Sequence, residues 1–352
     1  MKGTLRWLLA GGLILVVGVE LVARYVLGLG TPPLSQPHPR IEYLFQPNQD
    51  VSRFGNRVLI NAYGMRSADF PELKPAEELR VMIFGDSVLN GGNLTDHDAL
   101  ATTLLSQRLA ETEGRPVVVG NISAGSWGPG NWLAYAKDYG FFDADVVVLL
   151  ISSHDVADNP TFVSLNPNTH PQQKPVSALV EGMTRYLPRY LPSLGEPVQS
   201  DSEAPADDAD SQAAVRQGLA DLRAFLELAQ QEVPRVLVVQ HPERQELTTR
   251  KAQPGFAMIR ALAVDLGVEV ISAFPAMDAA LADGENPYRD NIHVNTVGQA
   301  VLADVFFEAL LATEPSGHAK STNNSAISPS AITARKPETN AAEVNLQAGT
   351  AL

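Results

Sequence analysis

The chain has 352 residues, and 26 Lys and Arg against 40 Asp and Glu give a formal net charge of −14. Its apolar fraction of 45% is enough for one large domain or two smaller ones. The absence of any Lys/Arg-rich stripe argues against a nucleic-acid partner, and the absence of cysteine excludes disulfides, thiolate nucleophiles and cysteine metal sites.

At the N-terminus, Lys2 and Arg6 precede an apolar run that starts at Trp7 and reaches Leu29. Glu20 and Arg24 interrupt it late, where long side chains reach the headgroup level. The stretch is long enough to span a bilayer, and no Ala-x-Ala-like cleavage site follows it. Residues 1–30 therefore read as an uncleaved anchor in preference to a signal peptide. The leading positive charges favour a cytoplasmic N-terminus. The expectation is a single-pass protein of the inner (cytoplasmic) membrane with a periplasmic or extracytoplasmic body, or a secreted one if the segment is cleaved.

Residues 31–78 are rich in Pro and turn formers with short β-like runs, and read as a β-rich lead-in packed on the main domain. From Leu79 onward, short apolar strand candidates at 80–84, 116–121, 145–151, 235–240 and 268–272 alternate with helical stretches. The helical stretches fall near 98–112, 130–139, 212–232, 254–266 and 297–312. Strands apolar on both faces suit a parallel sheet covered by helices on each side. The last helix opens with Thr296 and Gln299 in capping-box spacing. The pattern predicts a doubly wound α/β sandwich over 79–313, whose chemistry belongs at the carboxyl ends of the strands. Residues 160–211 read as an insertion, with 176–192 a candidate helical lid and "SDSEAPADDAD" solvated and mobile. The tail, 314–352, is short of large apolar residues and is expected to be disordered.

Polar groups cluster where these strands end. The first strand runs into Gly85-Asp86-Ser87, a common turn sequence in which Asp86 or Ser87 serves as a helix cap, or Ser87 as a nucleophile. The second leads through Asn121 into a small-residue loop containing Gly125 and Ser126, whose amides are candidate oxyanion donors. The third ends in Ser152-Ser153-His154-Asp155. Before the last helix, Asp290 and His293 stand three apart, so the carboxylate can take one ring N–H while the other nitrogen faces outward as a base. A nucleophilic serine needs such a base and the base an orienting partner.

These four pieces, in this order, resemble the sequence blocks of the SGNH/GDSL hydrolases: "FGDS" is similar to the first and "DNIH" to the last. The likeness covers 79–312 apart from the insertion. It implies a three-layer α/β/α sandwich with a parallel, flavodoxin-like sheet. It also implies Ser87 as nucleophile, His293 as general base, Asp290 as its orienter, and an oxyanion hole from Ser87, the Gly125–Ser126 turn and a third-block side chain. The third block departs from the usual Gly-x-Asn-Asp, with His154 standing where Asn is expected, as a neutral imidazole donating through one nitrogen. The resemblance implies an esterase, and membrane-anchored relatives are associated with polysaccharide modification. The expected substrate is an acylated carbohydrate or other ester of the cell envelope or exterior, with acetyl as the preferred acyl group. The alternatives are acyl transfer to a sugar hydroxyl from the same site, and a non-catalytic scaffold of an exopolysaccharide assembly. No cofactor is expected, and Asp86, His154, Asp155 and His293 show no recognisable metal-ligand spacing.

Overall fold

In a computed structural model, which describes residues 2–187 and 208–312, the apolar N-terminal run forms one helix, α1 (Lys2–Tyr25). Its stretch Gly3–Tyr25, with mean hydropathy 2.0, is long and apolar enough to cross a membrane or to be a signal sequence. Leu5, Leu9, Leu13, Val16 and Leu21 are all exposed along it, as side chains without a protein partner must be.

Two antiparallel hairpins follow: β1 (Ser35–His38) with β2 (Glu42–Phe45), and β3 (Gln49–Arg53) with β4 (Asn56–Ile60). Ile41, Tyr43, Leu44 and Met65 carry this lead-in into the main core. The buried Arg80 guanidinium ties its end down by donating to Glu78 and to the carbonyls of Pro71, Glu72 and Phe142.

The centre is a five-stranded parallel sheet of β5 (Leu79–Gly85), β6 (Val117–Ser123), β7 (Val146–Ser152), β8 (Arg235–His241) and β9 (Glu269–Ser272), in the order β6-β5-β7-β8-β9. The second strand precedes the first, so the chain reverses direction across the sheet beside β5, the place where open α/β sheets bind ligands outside the carboxyl ends of their strands. Around the sheet run α2 (Ser87–Asn90), α3 (Ala101–Glu113), α4 (Pro129–Tyr139), α5 (Ala178–Glu181), α6 (Asp208–Glu232), α7 (Arg244–Thr249), α8 (Pro254–Asp265), α9 (Phe274–Ala282) and α10 (Thr296–Leu311). Strand alternation divides the core in two. Met82, Phe84, Val147 and Leu149 face α4, α6 and α8, whereas Val81, Ile83, Val148 and Leu150 face α3, α9 and α10. The three-layer α/β/α sandwich with its parallel sheet is the architecture read from the sequence.

Differences of detail have local causes. Helix α10 is capped by the Asn295 side chain, which accepts from Val297 and Gly298 N–H, and Gln299 is not in a capping box. Helix α6 begins at Asp208, inside the stretch read as insertion. Of the candidate lid 176–192, residues 188–192 lie outside the described residues, and the rest includes the short α5 followed by a single π turn, Gly182–Tyr186, packed near the foot of α1 through Ala23, Leu29 and Ala178. Most of "SDSEAPADDAD" and the whole tail from 314 lie outside the described residues.

Candidate active site

Strand β5 delivers Ser87 to the sheet's carboxyl edge through a turn that admits only glycine at 85. A Cβ there would sit 2.8 Å from Leu89 Cβ and 3.1 Å from Leu89 Cδ2. The Gly85 carbonyl is pinned by the buried Trp132 indole N–H at 2.9 Å. Asp86 caps α2, its Oδ1 accepting from Val88 N–H at 2.9 Å. The two readings of this turn therefore fall on different residues. Asp86 is the cap, and Ser87, first in the helix, keeps its hydroxyl free while its own N–H is one that a helix start leaves without an intrahelical acceptor.

That hydroxyl meets the loop before α10. The loop is closed by the antiparallel bridge of Tyr288 with Val294 and by Arg289 N–H donating to His293 carbonyl at 2.8 Å. Asp290 Oδ1 accepts from the N–H groups of Ile292 at 2.8 Å and His293 at 2.7 Å. Its Oδ2 lies 2.8 Å from His293 Nδ1, and His293 Nε2 lies 2.9 Å from Ser87 Oγ. Partial burial opposes ionisation of Asp290, but the two backbone N–H groups and the imidazole outweigh it and hold the carboxyl below its usual range. A hydroxyl, an imidazole and an ionised carboxylate joined in this order can remove a proton from the hydroxyl and store it on the ring.

Behind this chain, Gln299 spans two elements. Its Oε1 accepts from Ala101 N–H at 2.8 Å and its Nε2 donates to Val88 carbonyl at 2.7 Å, with the side chain wholly buried. The helix that follows His293 is thereby fixed to the helix that begins with Ser87.

The β6 side supplies the neighbouring wall. Asn121 lies within β6 and not after it, fully buried, and its Nδ2 donates to Leu89 carbonyl at 3.0 Å, bracing α2. Gly125 and Ser126 sit on the turn beyond β6. The Gly125 carbonyl is held by Tyr43 Oη at 2.6 Å, and Ser126 adopts φ +55°. In the β5–β6 register Gly85 faces Ser123, so this turn flanks Ser87 at the same sheet edge.

His154, in the 3-10 turn Ser153–Ala157 that follows β7, is surrounded by carboxyl groups. Its Nε2 is 3.6 Å from Asp86 Oδ2 and 3.4 Å from Asp155 Oδ1, and its Nδ1 is 3.3 Å from Glu243 Oε1. Burial works against a charge, but the Asp155, Asp86 and Glu243 carboxylates overcome it, and the His154 pKa is pushed up to about 12. Asp86 and Glu243 face different nitrogens of the ring and favour its protonated form over the neutral imidazole expected from the sequence. Burial alone would raise Asp86, but the His154 cation and Val88 N–H bring it below its ordinary value. Asp155, buried beside it, is driven up by burial and by the charge on Asp86. One ligand atom from each of Asp86, His154 and Asp155 lies within 4.8 Å of the others, an arrangement that could hold a metal ion, and His293 is not part of it.

Glu243, which the sequence reading passed over, joins this cluster to the His293 loop. Its Oε1 faces His154 and its Oε2 accepts from Asn291 Nδ2 at 2.9 Å. The signal was available in the polar run "QHPERQE", which follows β8 as the other polar runs follow their strands. Glu246, one turn on, accepts from Ser153 Oγ at 2.8 Å and from Gln253 N–H at 2.7 Å.

No protein-family model and no curated protein matches the chain. Among solved structures it is similar to a catalytic mutant of Axe2, an acetylxylan esterase from Geobacillus stearothermophilus, with a TM-score of 0.43 and 13% identity over 68% of this chain and 97% of the other. It is also similar to a member of the lipolytic protein G-D-S-L family from Veillonella parvula, with a TM-score of 0.40 and 12% identity over 67% of this chain and 100% of that one. A third is LAE5, an alpha/beta hydrolase enzyme from the metagenome of Lake Arreo, Spain, with a TM-score of 0.40 and 16% identity over 66% and 94% of the two chains.

Proposed function

We propose that this chain is a serine esterase of the SGNH type, held at a membrane by α1, that removes small acyl groups, acetyl foremost, from a polysaccharide of the cell envelope or exterior. The observation that carries the reading is the continuous chain from Asp290 through His293 to Ser87 Oγ, at 2.8 Å and 2.9 Å. Ser87 Oγ attacks the ester carbonyl as His293 Nε2 accepts its proton, and Asp290 stabilises the imidazolium that forms. The tetrahedral oxyanion is held by the amides of Ser87 and the Gly125–Ser126 turn, at the positive end of α2. Collapse passes the proton from His293 to the departing sugar alcohol, and water, deprotonated by the same ring, releases the acyl group from Ser87. His154 acts through Asp86 as a positioning residue. The acyl and acceptor assignments follow from the membrane setting and from the resemblance of the sequence blocks.

The test is p-nitrophenyl ester hydrolysis over a series of acyl lengths, with acetate release from an acetylated polysaccharide as the second measurement. The reading expects turnover that is greatest for acetyl and lost in Ser87→Ala. Undiminished turnover in Ser87→Ala removes the nucleophile. Turnover that rises with acyl length removes the acetyl assignment.

A further inference from the structure

The foot of α1 is built into the folded body. Glu20 directs both carboxylate oxygens at the start of α5, accepting from Ala178 N–H at 3.0 Å and Leu179 N–H at 2.9 Å, while Arg24 Nη2 neutralises it at 2.7 Å. A second carboxylate, the buried Glu181, takes Gly30 N–H, the fully buried Arg53 guanidinium and Arg185 Nη1. Arg53 also donates to Tyr186 Oη at 2.9 Å, and the Phe54 and Tyr186 rings meet edge-on at 5.4 Å. These bonds fix α5 at the level where α1 turns polar, and they consume the polar side chains on its inner face.

The outer side carries four exposed apolar side chains, with Thr184 the exposed polar residue among them. Val180 lies on α5, Met183 on the π turn and Leu187 at its end, and Val176 stands just before the Ser177 cap. All four are exposed, Val176 at 94%. The segment starts beside Glu20, near the end of the apolar run of α1. Resting on the reading of α1 as a membrane helix, we infer that the segment 176–187 lies flat in the bilayer interface as a second membrane contact, clamped to the anchor by Glu20 and Glu181. Apolar side chains on one face, with the charged groups turned away from the lipid, are what an interfacial helix requires. The anchor is thereby a retained part of the fold that sets the orientation of the body above the membrane.

The lack of native cysteine makes the test direct. The full chain, carrying Leu13→Cys, Val180→Cys, Met183→Cys or Glu111→Cys singly with a nitroxide attached, is reconstituted in phosphatidylethanolamine–phosphatidylglycerol vesicles. Power saturation then compares collisions with oxygen and with a water-soluble nickel chelate. Expected are a deep, oxygen-dominated signal at 13, shallow lipid signals at 180 and 183 with nickel access severalfold below that at 111, and a fully aqueous signal at 111. Aqueous signals at 180 and 183 with a deep signal at 13 overturn the interfacial contact and leave the anchor standing. An aqueous signal at 13 removes the anchor and the inference with it.

Discussion

His154 Nε2 stands 3.6 Å from Asp86 Oδ2, so a ring that its carboxyl neighbours push toward the protonated form sits directly behind the residue that caps the Ser87 helix. Asp86 is almost wholly buried and is held ionised there by the imidazolium and by Val88 N–H. Removing the ring leaves that carboxylate without its counter-charge. His154→Ala is therefore expected to cost about 2–3 kcal/mol, below the 3–5 of a fully buried pair because part of the ring faces solvent. Urea unfolding of the two proteins measures the difference.

The pH dependence of that difference has a definite sign. His154 in the fold is raised to about 12, above its unfolded value of about 6.5. Its contribution is complete below pH about 6.5 and is lost as pH rises through the folded value. The lowered Asp86 and Glu243 act oppositely, their contribution present above the unfolded carboxylate range and lost as pH falls through their folded values. The stability gap between native protein and His154→Ala is thus expected to be widest near pH 5–6 and to shrink on both sides. A gap that widens steadily above pH 7 contradicts a cationic His154.

Asp290 offers a prediction on rate in place of stability. Its Oδ2 faces His293 Nδ1 at 2.8 Å and fixes which ring nitrogen carries the proton. Asparagine can present an amide N–H there and stabilise the wrong tautomer. Asp290→Asn is expected to lower kcat by about 10³–10⁴-fold with KM little changed, as for the equivalent change in serine proteases. A loss under tenfold, with circular dichroism unchanged, removes Asp290 from the catalytic chain.

The sheet and the contact of Asp290 with His293 were legible in the sequence because each has a local signature. Valine-rich runs such as 145–151 cannot be amphipathic strands, and the three-residue spacing of Asp290 and His293 fixes their mutual reach before any fold is known. The surroundings of His154 were not legible. Its partners Asp86, Asp155 and Glu243 come from the ends of β5, β7 and β8, and only the parallel register brings them together. A histidine in place of an amide looked like a substitute donor, whereas the Asp86 and Glu243 carboxylates, both held below their ordinary values, favour its protonated form. Gln299 misled for the opposite reason: its spacing from Thr296 fits a local cap, yet tertiary packing directs it to Val88 and Ala101. The role of Glu20 was half legible, since its place near the end of the apolar run is plain in the sequence but the α5 amides it binds are not.

Gln299 itself is testable. Replacing it by alanine strands Ala101 N–H and Val88 carbonyl in a buried site, at about 1–3 kcal/mol for each group left unpaired. Gln299→Ala is expected to lower Tm by several degrees and kcat as well, because the α2–α10 tie sets the Ser87–His293 distance. Gln299→Glu keeps the acceptor for Ala101 and loses the donor for Val88, so it is expected to fall between the two in a thermal melt. Equal melting of all three proteins argues against the bridge.

His241 gives the acid limb of stability. It ends β8 with Nε2 3.2 Å from Ile292 carbonyl, and burial depresses it to about 4. The folded protein holds the ring neutral, and the unfolded chain, with a value of about 6.5, takes up a proton first. The stability this neutral ring confers is present above pH about 6.5 and is lost as pH falls from there toward 4, by up to about 3 kcal/mol. Denaturant titrations at intervals across that window are expected to show the decline in the native protein and a flatter profile in His241→Gln, whose side-chain amide can still donate to Ile292 but does not titrate. Identical slopes in the two proteins place the acid sensitivity on another group.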